Sequence, residues 1–210
     1  MKNRIIFDVG ANDGYSLCHV ANVDPDCIIY GFEPDPKNIE SSKRNVEHLK
    51  NYKMIEMAVS DFDGKAFFNF VDVQYRGKCN SLYDWNDTIK ESWPGRNDFY
   101  WKNKHEVSVT RLDTFMEKNN LDHVDYLHCD TQGNDLKVLQ SLGKYLKTLQ
   151  RGCVEAPRNK KVSMYARTYV LDDMVDYLLE NKFEIIAIKS NDEFNNEYNI
   201  FFKRQEFKIN

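Results

Sequence analysis

The stretch IIFDVGANDGYS, Ile5 to Ser16, decides the fold. With Arg4 before it, the first half is a short continuous apolar run, as in a parallel strand buried on both faces. It ends in Asp8, Gly10 and Gly14, with Asn12 and Asp13 packed between, and a short helix is expected from Tyr15. In open α/β sheets ligands bind beyond the carboxyl ends of the strands, where strand order reverses. The turn from Asp8 to Gly14 is therefore the first candidate site. A dinucleotide fingerprint needs G-x-G-x-x-G so that backbone amides can approach a pyrophosphate. Here Asn12 replaces the middle glycine. Asp8 and Asp13 would also repel a diphosphate, by several kcal/mol for unit charges about 4 Å apart at an effective dielectric near 20.

Outward from that turn, apolar runs alternate with helix-period segments, the order of an α/β fold with a mainly parallel sheet. CIIYGFE is the second strand, and DPKNIESSKRNVEHLKNY a helix with Asp35 as N-cap and Pro36 in its first turn. KMIEMAV is expected as the third strand, with GKAFFNFVDV and HEVSVTRL as extra strands. DTFMEKNN reads as a helix, VDYLHCD as the next buried strand, and GNDLKVLQSLG as a helix stopped by Gly143. RGCVEAP is a fifth core strand, TYVLDDMVDYLLENK an amphipathic helix, and FEIIAIK with YNIFFKR a closing hairpin. All 210 residues are expected in a single domain. The opening strand begins almost at Met1, which fits a minimal enzyme or a domain excised from a longer chain.

The formal net charge of −4 disfavours nucleic-acid and anionic-membrane surfaces. No apolar run approaches the roughly 20 residues that span a bilayer, and the first residues lack the apolar core of a signal peptide. Five scattered cysteines without a C-x-x-C pair read as reduced thiols in a cytoplasmic protein.

A ligand with an ammonium and a sulfonium would be drawn to the acid-lined turn. S-adenosylmethionine carries both, and its one carboxylate can be met by loop or helix N-terminal amides. In that reading the glycines let the backbone approach and the acids select a cation. Glu33, ending the second strand in GFEPDP, can accept hydrogen bonds from both hydroxyls of a ribose. In AVSDFDG, Ser60 or Asp61 could meet the adenine edge.

These motifs resemble the FkbM-type methyltransferases, a Rossmann-like branch of the S-adenosylmethionine-dependent enzymes. The likeness rests on FDVGANDGYS, GFEPDP, AVSDFDG, VTRLDTF and HCDTQGNDLKVLQSL, in that order. It implies seven core strands with helices on both faces and a reversed final hairpin. It also implies methyl transfer to oxygen, often on sugars, with a glycan acceptor and a glycosyltransferase fused to it or acting beside it. By the family pattern Asp8, Gly10, Asn12 and Gly14 fall on the methionine-binding loop and Glu33 on the ribose position. Gln132 stands where the family's D-x-E-G pattern has an acid, so a proton or metal role for that acid is not carried over.

Methyl transfer to an alcohol needs alignment and a base. Asp130, ending the fourth core strand, is the candidate base, with Glu155 at the end of the fifth as its partner. The two could also hold a divalent cation, Mg or Mn. Equally, Asp130 could only orient the cofactor or cap the next helix. His128 is expected to pack in the sheet, and His105 is a weaker base candidate. Residues 72–105 form a long segment of weak periodicity with all three tryptophans, Trp85, Trp93 and Trp101, and with Tyr75 and Arg76. Rings between polar groups suit a carbohydrate face, although they could equally pin the segment to the sheet. The leading reading is a sugar O-methyltransferase. The rivals are a methyltransferase for RNA ribose or another small hydroxylated metabolite, an NAD-dependent oxidoreductase, and a non-catalytic glycan- or partner-binding domain.

Overall fold

The computed structural model describes residues 3–71, 78–96 and 103–205. Strand β1 (Arg4–Val9) pairs in parallel with β2 (Cys27–Phe32) on one side and with β7 (Tyr126–Cys129) on the other. β2 pairs onward with β3 (Tyr52–Ile55), and β7 with β8 (Arg151–Pro157). The hairpin β9 (Phe183–Ser190) and β10 (Glu197–Arg204) closes the far edge, β10 running antiparallel to β8. The order is β3-β2-β1-β7-β8-β10-β9, the expected seven-stranded sheet with a reversed last hairpin. The chain winds one way from β1 to β3 and then returns to β7, so strand order reverses between β1 and β7.

The extra strands form a separate three-stranded sheet, in which β4 (Ala58–Val59) and β5 (Gly64–Phe70) flank β6 (Asn103–Thr110), and a short helix α3 (Ile89–Ser92) lies between β5 and β6 in the chain. The single strand expected over KMIEMAV is in fact two. The Met57 amide donates to the Ile55 carbonyl at 2.9 Å, the chain turns, and Ala58–Val59 leave the large sheet to pair with β6.

Alternation along the strands assigns the two faces. Phe7 and Val9 of β1, Phe32 of β2 and Leu127 of β7 meet α4 (Leu112–Lys118), α5 (Asp135–Ser141) and α6 (Leu171–Glu180) in the larger core. Phe115 stacks edge-on against Phe7, Tyr30 and Phe32 at its centre. On the opposite face Ile6 and Ile29 pack with Leu17 and Ala21 of α1 (Tyr15–Val23) and Val46 of α2 (Pro36–Val46). Asp35 caps α2 as expected, its Oδ1 accepting from the Lys37 amide at 2.9 Å, with Pro36 in the first turn. Among the described residues no helix is long and apolar enough to cross a membrane.

Candidate functional site

The carboxyl ends of β1, β2 and β7 open into a cavity of about 650 Å³, within the usual range for small-molecule sites. Of the residues expected to bind a cofactor, Gly10, Asn12, Asp13 and Glu33 line it, and so does Asp130. Val9, Phe32, Met57, Val59 and Leu82 supply apolar wall, and Arg44 and Lys78 its cations.

The two loop glycines answer to packing. Gly10 has φ +80°, and a Cβ there would collide with the carbonyl oxygen of Asp130, so the first loop can cross the end of β7 only without a side chain. Gly14 has φ +73°, and a Cβ would stand 2.7 Å from Val46 Cγ1, against α2 and away from the cavity. Asn12 also takes a left-handed φ of 51°, which turns its amide toward β2.

Glu33 is only 5% exposed. Its Oε2 accepts from the Asn12 amide at 2.9 Å and its Oε1 from the Asp35 amide at 2.8 Å. Burial pushes its pKa from 4.5 up to about 7, against the pull of those N–H groups. Each oxygen keeps lone-pair capacity beyond its backbone partner, so a pair of vicinal hydroxyls could still be received.

Asp8 does not line the cavity. It is fully buried on the α1 face of β1, where Tyr52 donates to Oδ2 at 2.6 Å and His128 Nδ1 lies 2.7 Å from Oδ1. A buried carboxylate needs such partners, and with them Asp8 is held away from a ligand. His128, expected to be packed in the sheet, keeps about a quarter of its side chain accessible and lines the cavity instead. The signal that could have found it is strand alternation: His128 lies two residues before Asp130, and both line the cavity. Ser60 is buried and donates toward Asn134, while Asp61 lies outside the cavity with Lys137 at 3.6 Å.

At the end of β7 the amide of Gln132 bridges the two acids of interest. Its Nε2 donates to Asp130 Oδ1 at 2.6 Å and reaches Glu155 Oε2 at 3.5 Å, while Tyr165 donates to its Oε1 at 2.7 Å. Gln132 has φ 56°, so the loop is bent to deliver this amide. The nitrogen takes the place between the carboxylates that a divalent cation would need. Among the described residues, no group of three or more His, Cys, Asp or Glu is arranged to hold a metal. Burial, opposed by Gln132 and His128, raises the pKa of Asp130. Glu155 is buried behind Gln132, outside the cavity, and Asn191 donates to it. Burial, then the charge of Asp130, pushes its carboxyl well above the usual range. Asp135 completes the arrangement: it accepts from Thr131 and from the Glu155 amide at 2.8 Å, fixing the loop after β7 onto β8.

Neither described tryptophan enters the cavity. Trp93 is buried, and its Nε1 donates to the Val162 carbonyl at 2.9 Å. Trp85 stacks on Tyr165 with centroids 5.3 Å apart, and both belong to a small core with Ile89 and Met164. These rings pin the segment to residues 162–165. Tyr75, Arg76 and Trp101 lie outside the described residues. From the same segment Lys78, Asn80 and Leu82 do reach the cavity wall. A second cavity of about 550 Å³ adjoins the first, between α2 and β6, sharing Asn12, Asp13, Pro34 and Arg44 with it and lined also by His105.

The profile described as the methyltransferase FkbM domain matches residues 8–185. The curated 2-O-methyltransferase NoeI of Sinorhizobium fredii is 25% identical over 138 residues, which are 64% of this chain and 56% of that protein. The match therefore spans little more than half of that relative. Among solved structures, the fibrillarin pre-rRNA processing protein of Methanococcus jannaschii superposes with a TM-score of 0.55 at 14% identity, over 97% of this chain and 67% of its own. Aeropyrum pernix fibrillarin, solved with natively bound S-adenosyl-L-methionine, gives 0.53 at 13%, over 96% and 66%. These likenesses establish the fold of S-adenosylmethionine-dependent methyltransferases. With that fold, the acid-lined cavity at the switch point and the profile match over most of its length, the chain belongs to the FkbM methyltransferase family.

Proposed function

We propose that the protein uses S-adenosylmethionine to methylate a hydroxyl group of a sugar or glycan. One observation carries the cofactor: the carboxyl groups of Asp13, Glu33 and Asp130 share a single cavity at the ends of β1, β2 and β7. Three acids beside the two cations Arg44 and Lys78 suit a ligand with two positive centres and one carboxylate better than a diphosphate. Glu33 would receive the ribose hydroxyls, and the apolar wall from Met57 to Val59 would face the base. Asp130 and Asp13 would meet the positive end, with Arg44 or Lys78 left for the carboxylate. When bound, the cofactor supplies an electrophilic methyl group.

The hydroxyl acceptor draws support from two sides. The name of the curated relative is 2-O-methyltransferase, and the cavity offers proton acceptors in Asp130 and His128, which transfer to oxygen requires. The wall also carries the neutral polar residues Asn12, Ser16, Thr131 and Gln132. Such groups both donate and accept, as a polyol does. In this reading Gln132 and Tyr165 hold Asp130 in place, and no step passes through a metal ion.

The test is incubation with labelled S-adenosylmethionine and a panel of oligosaccharides, RNA and protein, followed by linkage analysis. Label on a sugar oxygen is the expected result. Label confined to RNA ribose, or to nitrogen or carbon, would overturn the reading.

A further inference from the structure

Four strands cooperate to orient one imidazole at this cavity. Asp8 of β1 and His128 of β7 are direct partners in the parallel register, so both side chains leave the sheet on the same face. Tyr52 reaches Asp8 from β3 across β2. It can do so because Gly31 of β2 has no side chain: a Cβ there would stand 2.7 Å from the Tyr52 ring. Burial, then the charge of Asp8, pushes the Tyr52 phenol far up, so it remains a donor. Asp8 Oδ2 takes that proton donor at 2.6 Å, and Oδ1 faces His128 Nδ1 at 2.7 Å. A carboxylate can only accept, so Nδ1 carries the proton and Nε2, across the ring, carries the lone pair. The ring lines the cavity beside Asp130.

We infer that His128 is the catalytic base that takes the proton from the acceptor hydroxyl, with Asp8 and Tyr52 as its positioning residues. This inference rests on the hydroxyl-acceptor reading above and names the group that serves it. The step balances: the acceptor O–H bond breaks and its proton passes to Nε2. The oxygen bonds the methyl carbon, and the carbon–sulfur pair leaves with a sulfur that becomes a neutral thioether. The positive charge of the sulfonium thus ends on the imidazolium, beside Asp8. Asp130 keeps Oδ2 beyond the bond that Gln132 donates to its Oδ1 at 2.6 Å, and in the reading above that carboxylate meets the positive end of the cofactor. Burial alone would lower the imidazole pKa. Asp8 on β1, then Asp130 just past β7 and Asp135 on α5, outweigh it and raise the imidazole pKa, which makes the ring a stronger base.

The tautomer is read first, by NMR of the labelled imidazole in the wild-type protein with no acceptor present. At a pH high enough for the ring to be neutral, the proton on Nδ1 and a bare Nε2 are expected, and a neutral ring with its proton on Nε2 would overturn the proposal. Asp8→Asn, whose amide can donate to Nδ1, should flip the tautomer. On a methylated hydroxyl acceptor, His128→Gln should lower kcat by about 10²–10⁴-fold. By calorimetry its affinity for S-adenosylhomocysteine should stay within about threefold of wild type. A kcat for His128→Gln within about threefold of wild type would overturn the base while leaving the hydroxyl reading intact. Wild-type transfer to nitrogen or carbon alone would overturn that reading and the base with it.

Discussion

Replacing Glu33 by Gln should remove a falling limb from the pH dependence of stability. The carboxyl is 5% exposed, and burial raises its pKa from 4.5 to about 7. In the unfolded chain it ionises near the lower value. Between the two, the native state holds a proton that the unfolded state has released, so stability declines as pH rises through that window. The shift of roughly 2.5 units corresponds to about 3 kcal/mol, complete above about pH 7. Gln has no proton to lose, so the variant lacks this decline. It does incur a different cost: the Asn12 and Asp35 amides both point at the carboxyl, and Gln offers one acceptor oxygen for two donors. An N–H left facing an NH₂ costs about 1–3 kcal/mol. The variant should therefore be less stable than wild type near about pH 5, and equal to it or more stable near about pH 8. Urea denaturation of both proteins at the two pH values reads the difference. An equal gap at both would refute the reasoning. The same carboxyl bears on binding: wild-type affinity for S-adenosylhomocysteine should rise between about pH 6 and pH 8, as the ionised acceptor becomes available, and the variant should bind weakly and without that rise.

Gly10→Ala should cost about 3 kcal/mol or more, because it combines a left-handed φ with a collision against the Asp130 carbonyl; an unchanged melting temperature would contradict this. Trp93→Ala should lose about 3–5 kcal/mol of stability while leaving cofactor affinity intact, and a stable variant would contradict the pinning role. Gln132→Glu places a third carboxylate against Asp130 and Glu155. Its melting temperature should fall at about pH 8 and recover toward about pH 5, and a pH-independent effect would contradict the bridging role of the amide. Treatment with a chelator should leave wild-type methyl transfer unchanged, and loss restored by Mg or Mn would show that a cation displaces the Gln132 amide.

The sheet was legible because its strands are continuous apolar runs with turn residues between them, and because Asp35–Pro36 announces α2. KMIEMAV misled because apolar content marks a strand without marking the sheet that receives it. The turn at Met57 depends on β6, some fifty residues later. Glu33 and Asp130 were legible as strand-end acids. The surroundings of Asp8 were not, since its partners are separated from it by 44 and 120 residues, and their meeting depends on β1 lying between β2 and β7. The same register converts His128 from a core residue into a wall of the cavity. Aromatic content drew attention to residues 72–105, but whether a ring faces a ligand or the chain is set by what packs beneath it. Here residues 162–165 do so for Trp85 and Trp93.

A crystal structure with S-adenosylhomocysteine tests the cofactor site most directly. The ribose hydroxyls should lie on the Glu33 carboxyl, with the sulfur near Asp130 and the His128 ring. A nucleoside seated instead in the neighbouring cavity between α2 and β6, or a ribose away from Glu33, would contradict it.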